Sequence, residues 1–298
     1  MRAKVVQLFL TSQIVTTKNY NQKDTMSSSE INKLEKKAKW IRQEVLEMCV
    51  RAGEGRVASA FSCADILVAL FSGNILRFDP DNLQWEERDR FIMSKSPGTV
   101  CLYPVLSDLG FFPHGELERF CQPGGILGPY GDNIPGIEAV WGSLGHGLGV
   151  GAGLALAGKM DHKKYMSVVM LGDGECYEGA IWEAAMFAGH HQLNNLVGII
   201  DRNRICTIDF TENCLRLEPL DSKWREFGWE VVTINGHSFE EIFNAFNDFH
   251  NRKSNRPLMV IANTVKGKGI SFLENNPMGH VIIPNGEQLQ IAREELRR

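Results

Sequence analysis

The chain has 298 residues, 43% of them hydrophobic and 23% charged, proportions that exclude a disordered, collagen-like or coiled-coil protein. Its 32 lysines and arginines stand against 36 aspartates and glutamates, a net charge of −4, so no basic field draws it onto nucleic acid or an anionic membrane. Seven cysteines, odd in number and without CxxC or zinc-ligand spacing, read as reduced thiols of a cytoplasmic protein, and no apolar stretch reaches the roughly 18 residues of a membrane span.

Residues 1–29 read as an N-terminal extension. Arg2, Lys4, Lys18 and Lys23 precede the first acid, Asp24. A transit or secretory peptide is conceivable, but Leu8-Phe9-Leu10-Thr11-Ser12-Gln13 makes a poor signal core; an extension upstream of a start at Met26 explains it better. Structure is expected to begin at Ser27-x-x-Glu30, a capping box. Ile31, Leu34, Ala38, Ile41, Val45 and Met48 then recur at helical spacing up to Gly53. Residues 62–71 read as a helix opened by Ser62-x-x-Asp65 and stopped at Gly73. A short buried strand over 90–94 and a helix over 102–109 follow. Residues 112–142, rich in Gly and Pro, form an excursion whose length points to function. The remainder alternates: helix 147–159, strand 165–171, helix 178–191, strand 196–201, strand 229–234, helix 238–250 and strand 257–264. Such alternation predicts an α/β fold, a parallel sheet with helices on both faces. No internal repeat or linker interrupts it, so residues 30–298 read as one domain.

The strongest chemical signal is VVMLGDGECYEG followed by NLVGIIDRNRI. Two apolar strands end at Gly172-Asp173-Gly174 and at Asp201-Arg202-Asn203. In a parallel sheet those ends share one edge, where ligands of such folds bind. Asp173 and Asn203 can offer two oxygens to one hard cation such as Mg²⁺, which commonly shares its shell with a substrate phosphate. The flanking glycines admit a diphosphate to the backbone, and the following helix offers free N–H groups. The bland alternative is a Gly-Asp-Gly turn and an ordinary Asn cap. Gly147, Gly149 and Ala152 also match GxGxxA, a dinucleotide pattern. The downstream acid, Asp173, lies between glycines and suits a diphosphate-bound metal better, so the small residues are read as allowing close helix packing.

These segments resemble transketolase, specifically its N-terminal, diphosphate-binding half. GDG followed some 28 residues later by Asn is the thiamine-diphosphate fingerprint. RAGEGRVASAFSCADILVALF, RDRFIMSKSPG, PGIEAVWGSLGHGLGVGAGLALAGK, INGHSFEEI and NTVKGKGISFLENNPMGH follow the family's order, across most of residues 40–290. The resemblance implies that Asp173, Asn203 and the Ile205 carbonyl hold Mg²⁺, and that Gly172 and Gly174 meet the diphosphate. It implies that the Gly142-Ser143-Leu144 backbone faces the aminopyrimidine ring of thiamine diphosphate. Glu178 and Glu183 fall where the family links its two active sites, although a solvated helix face would also explain them. His237 and His280 fall within matching motifs and are candidates for catalysis.

Three other histidine positions depart from the family's pattern. Arg56 stands in the first motif, Pro97 in the second, and Tyr130 aligns loosely with the third. Proline moves no proton, and arginine is a permanent cation that binds anions. An altered donor is implied, with Arg56 contacting a substrate carboxylate or else forming a structural ion pair. The family's activating glutamate sits on a pyrimidine-binding domain, which this chain does not reach. The resemblance thus implies a separate C-terminal transketolase-like subunit, a heterotetramer of two copies of each, and small-molecule substrates. Transfer of a two-carbon ketol or acyl unit from a ketose- or 2-oxo-acid-type donor to an aldehyde-type acceptor is the expected reaction. A component of a 2-oxo-acid decarboxylase or dehydrogenase, and a non-catalytic cofactor-binding partner, are the alternatives.

Overall fold

The computed structural model describes residues 26–130, 134–139, 142–247 and 249–298. Most of the expected extension, residues 1–25, and parts of the 112–142 excursion (131–133 and 140–141) lie outside the described residues.

Helix α1 (Ser28–Ala52) opens on the expected capping box: the Glu30 N–H donates to the Ser27 hydroxyl, and the Ser27 N–H to the Glu30 carboxylate at 3.0 Å. It stops at Gly53, whose φ of 64° is the left-handed turn that glycine adopts without a side-chain clash. The helix expected over 62–71 is α3 (Ala64–Phe71), and an unexpected short helix, α2 (Val57–Ser62), precedes it, separated from it at Cys63. Ser62 and Asp65 do not cap. Ser62 donates to Asp201 at 2.6 Å, and Asp65 receives the buried Arg42 guanidinium. The residue types that signal a cap are taken up by tertiary partners.

Strand β1 (Arg90–Met93) leads into α4 (Thr99–Asp108) and the short α5 (Gly115–Glu118). Then come α6 (Gly147–Met160), β2 (Ser167–Gly172), α7 (Gly179–His190), β3 (Leu196–Arg202), α8 (Thr211–Cys214) and α9 (Leu220–Glu226). Strand β4 (Glu230–Asn235), α10 (Phe239–Ala245), β5 (Leu258–Asn263) and α11 (Gly286–Glu295) complete the chain. Helix α10 ends short of the expected residue 250. Helices α8, α9 and α11 carry too few buried apolar residues for a periodic pattern; in α11 only Ala292 is buried.

The five strands among the described residues are all parallel, in the order β1-β2-β3-β5-β4. Alternate residues feed the two faces. Val168, Met170, Val197, Ile199, Leu258 and Val260 join the core under α1, α3 and α4, while Val169, Leu171, Ile200, Met259 and Ile261 join the core under α6, α7 and α9. The small residues of α6 allow its close approach, since a Cβ on Gly151 would stand 2.4 Å from the Val169 side chain. No helix among the described residues is long and apolar enough to cross a membrane.

Candidate functional site

A parallel sheet sends all its C-terminal strand ends to one edge, and here that edge collects charge. Lys95 follows β1, Asp173 and Glu175 follow β2, Asp201 ends β3 with Asn203 just beyond, and Thr264 and Lys266 follow β5.

At the centre, the Lys95 ammonium pairs with Asp201 and donates to the Ser59 carbonyl at 2.8 Å and the Ser62 hydroxyl at 3.0 Å. Ser62 and Thr264 donate to the same carboxylate. Burial alone would raise Asp201, but Lys95 and these donors hold its carboxyl below the usual range. Such a pair persists only when its remaining lone pairs and protons are satisfied, as they are here.

Asp173 is 3% exposed. Its oxygens accept from the N–H groups of Gly174, at 2.7 Å, and Arg204. Among the described residues no cationic side chain forms an ion pair with it. Burial, and then the neighbouring Asp201, push its carboxyl up to about 6. A divalent cation would offset that penalty. Arg204 adopts φ 64°, a left-handed conformation rare for side-chain-bearing residues and common at functional sites. Asn203, itself buried, accepts from the Ile205 N–H at 3.1 Å. The Ile205 and Cys206 carbonyls accept from Lys266 Nζ at 3.3 and 3.0 Å. Burial, and then Lys95, push Lys266 down to about 8. One carboxylate, one amide oxygen and one carbonyl make a hard-oxygen set of the kind Mg²⁺ takes together with phosphate oxygens. Among the described residues no cluster of three or more His, Cys, Asp or Glu competes as a metal site.

Glu175, which sequence reasoning missed, ties three segments together. One carboxylate oxygen accepts from Ser94 Oγ and, at 2.9 Å, from the Gly145 N–H; the other accepts from the Gly172 N–H at 3.0 Å. Burial pushes its carboxyl up. The Gly142-Ser143-Leu144 segment is thereby held at the same edge, with Gly142 and Ser143 exposed. Lys95, Asp201 and Lys266 were missed as well. Their signal was a charge beside an apolar run: Asp201 closing LVGII, Lys95 after FIMS, and Lys266 shortly after VIANT.

The candidates for catalysis separate. His280, on the 3₁₀ turn Pro277–Val281, places Nδ1 3.3 Å from Ser59 Oγ. Burial, then Lys266 and Arg56, push it down to about 4, so it is neutral at neutral pH. Arg56 precedes α2 and reaches Glu54 at 3.3 Å and the Tyr130 hydroxyl at 3.4 Å. Arg56 and Tyr130, two of the positions expected to depart from the family's histidine pattern, therefore meet each other. His237 is engaged on both ring nitrogens. Its Nε2 accepts from the Val265 N–H at 2.9 Å, which places the proton on Nδ1, 2.6 Å from Asp65. Burial would raise Asp65, but Arg42 and His237 hold it down to about 2. That geometry ties the segment after β4 to α3 and to the segment after β5. Glu178 and Glu183 lie exposed at the start of α7, on a helix that also exposes Met186 and Phe187; Glu178 also borders Gly145, where a Cβ would stand 2.6 Å from its side chain, and its N–H donates to the Glu175 carbonyl at 3.0 Å.

A family model described as transketolase, thiamine diphosphate binding domain, matches residues 34–296. The chain is 38% identical over 270 residues to one of the subunits of the apulose-4-phosphate transketolase of Phocaeicola vulgatus, covering 90% of this chain and 95% of that one. It is also 38% identical over 275 residues to a 6-deoxy-6-sulfo-D-fructose transketolase subunit of a Clostridium species, covering 92% and 99%. Among solved structures, transketolase of Campylobacter jejuni superposes with a TM-score of 0.80 at 28% identity. That match covers 89% of this chain but only 42% of the longer one. The edge that gathers Asp173, Asn203 and the buried lysines therefore lies in a thiamine diphosphate binding domain, and the chain belongs to the transketolase family.

Proposed function

We propose that this chain is the cofactor-binding subunit of a two-component, cytoplasmic transketolase-like transferase. A separate subunit supplies the pyrimidine-binding domain, and two copies of each form a heterotetramer. The enzyme moves a two-carbon ketol or acyl unit from a ketose- or 2-oxo-acid-type donor to an aldehyde-type acceptor. One observation carries this reading: the chain spans 95% and 99% of two relatives that are each described as one subunit of a transketolase. Both relatives' names describe sugars bearing an anionic group, a phosphate or a sulfonate. Arg56, at the mouth of the site, gives this chain a fixed cation for an anionic donor.

Thiamine diphosphate, when bound, supplies the nucleophilic carbon and the electron sink. Asp173, Asn203 and the Ile205 carbonyl would hold Mg²⁺, whose charge would favour the ionised form of the buried Asp173. Lys266, which now donates to the Ile205 carbonyl, would be placed to neutralise diphosphate charge. Gly172 and Gly174 would admit the diphosphate to the backbone, and the Gly142-Ser143-Leu144 backbone would contact the aminopyrimidine ring. His280, held neutral, exchanges protons with a donor hydroxyl, while His237 acts as a positioning residue. Glu178 and Glu183 look outward towards the partner and connect the active sites across the interface.

Calorimetric titration of Mg²⁺ and thiamine diphosphate into the chain, alone and mixed with a pyrimidine-binding subunit encoded beside it, tests the reading. Tight binding in the mixture, lost with Asp173→Ala, is the expected result. Absence of binding in both samples would overturn it.

A further inference from the structure

Cys206 and Cys214 are eight positions apart, and their sulfurs approach to 3.3 Å. Cys214 ends α8 and is exposed, and Cys206 is partly exposed. Cys49, Cys63, Cys101 and Cys176 are buried, out of reach of a solvent-borne oxidant. The pair also sits against the candidate cofactor loop. Cys206 directly follows Ile205, its carbonyl receives Lys266 at 3.0 Å, and its Cβ lies 3.0 Å from where a Gly174 Cβ would stand. The Cys206 thiol donates to the Asp209 carbonyl at 3.1 Å. Helix α8 is moored by the Thr211 N–H to the Arg204 carbonyl at 2.9 Å, and by the Tyr177 hydroxyl to the Thr211 carbonyl at 2.6 Å.

We propose that Cys206 and Cys214 are a reversible dithiol–disulfide site whose closure weakens Mg²⁺–thiamine diphosphate binding. A disulfide bond is about 2.05 Å long, so the sulfurs must close by about 1.2 Å. Closure takes the Cys206 thiol off the Asp209 carbonyl; because α8 and the 204–206 segment are tied together by the Cys206 N–H to Asp209 carbonyl, Thr211 N–H to Arg204 carbonyl and Ile205–Phe210 contacts, the movement is transmitted to the segment that carries the Ile205 carbonyl. The oxidant is a low-molecular-weight disulfide. The Cys214 thiolate attacks its S–S bond, forming a mixed disulfide and expelling one small thiolate. The Cys206 thiolate then attacks the Cys214 sulfur and expels the second. The protein loses two electrons, the oxidant gains them, and the two cysteine protons end on the two released thiols. In a reducing compartment such a bond is transient, as suits a switch rather than a staple.

The weakening of binding rests on the cofactor reading above; the disulfide does not. Oxidised glutathione is added to the reduced chain in complex with its partner subunit, free thiols are blocked, and peptides are mapped by mass spectrometry. Cofactor affinity is measured before and after oxidation. A Cys206–Cys214 linkage that dithiothreitol reverses, with affinity falling at least about fivefold, is expected. By reciprocity, saturating Mg²⁺ and thiamine diphosphate should disfavour the linkage by the same factor. Cys214→Ser, an exposed position outside the binding residues, should keep the reduced chain's affinity and abolish the response to oxidant. A linkage elsewhere, no linkage, or unchanged affinity in the linked protein overturns the proposal. A linkage in a chain whose reduced form binds no cofactor overturns the cofactor reading and leaves the dithiol site standing.

Discussion

Lys95, Asp201 and Asp173 are almost wholly buried, and their contacts to Ser59, Ser62 and Gly174 run from 2.6 to 3.0 Å. Arg56, Tyr130 and His280 lie at the same edge but partly exposed, and their contacts to other side chains stretch to 3.3 and 3.4 Å. The first group is held by the sheet itself, because each member stands at a strand end. The second hangs on a helix start, an excursion and a 3₁₀ turn. Residues of the first kind are fixed by the strand ends that carry them, whereas residues of the second depend on less tightly held segments, so the two groups should respond differently to substitution.

The largest break should come from Lys95→Ala. It strands a buried Asp201 carboxylate, and losing one partner of such a pair costs about 3–5 kcal/mol. Thermal unfolding should fall by about 10 °C, and Lys95→Met with Asp201→Leu should recover much of the loss. Asp173→Ala should leave folding intact and strike the cofactor instead. Loss of an outer-shell partner already costs about 10–100-fold in metal affinity, so loss of this carboxylate should cost at least about 100-fold by calorimetry.

A pH series sharpens the contrast between the two aspartates. The Asp173 carboxyl in the folded chain stands at about 6, above its ordinary 3.8. The folded state therefore holds this proton more tightly than the unfolded state. Its stabilising effect is present below about pH 4 and is lost as pH rises through about 6, roughly 2–3 kcal/mol in all. Denaturant unfolding of the cofactor-free chain should show this slope relative to Asp173→Asn, and Mg²⁺ with thiamine diphosphate should flatten it. Asp201 has the opposite sign: its lowered carboxyl contributes stability that is lost as pH falls. The smallest effect on folding belongs to Arg56→His, within about 0.5 kcal/mol. If Arg56 meets the donor's charge, the KM for an anionic donor should rise about tenfold while thermal unfolding stays put.

Much of this molecule is legible in the amino-acid sequence. The apolar strands, the Gly-Asp-Gly stop, Asn203 and the small-residue helix each follow from local chemistry, because a parallel strand buried on both faces must be apolar and must end at a turn. The capping box at Ser27 is legible for the same reason, being satisfied within one helical turn. Ser62-x-x-Asp65 looks identical and misleads, because its polar groups find Asp201 and Arg42 from distant parts of the chain. Periodicity could not anticipate α8, α9 and α11, whose buried faces are too small to leave a stripe.

Sequence alone determined the sheet and the residue types gathered at the C-terminal ends of its strands, since these depend on hydrophobic pattern and backbone freedom. Only the tertiary structure decided which charges neutralise one another there. It paired Lys95 with Asp201, left Asp173 without an ion-pair partner among the described residues, spread Glu175 over three segments and fixed both nitrogens of His237. Those outcomes depend on distances between groups far apart in the chain, and a buried charge is stabilised by whatever folding brings within about 3 Å of it.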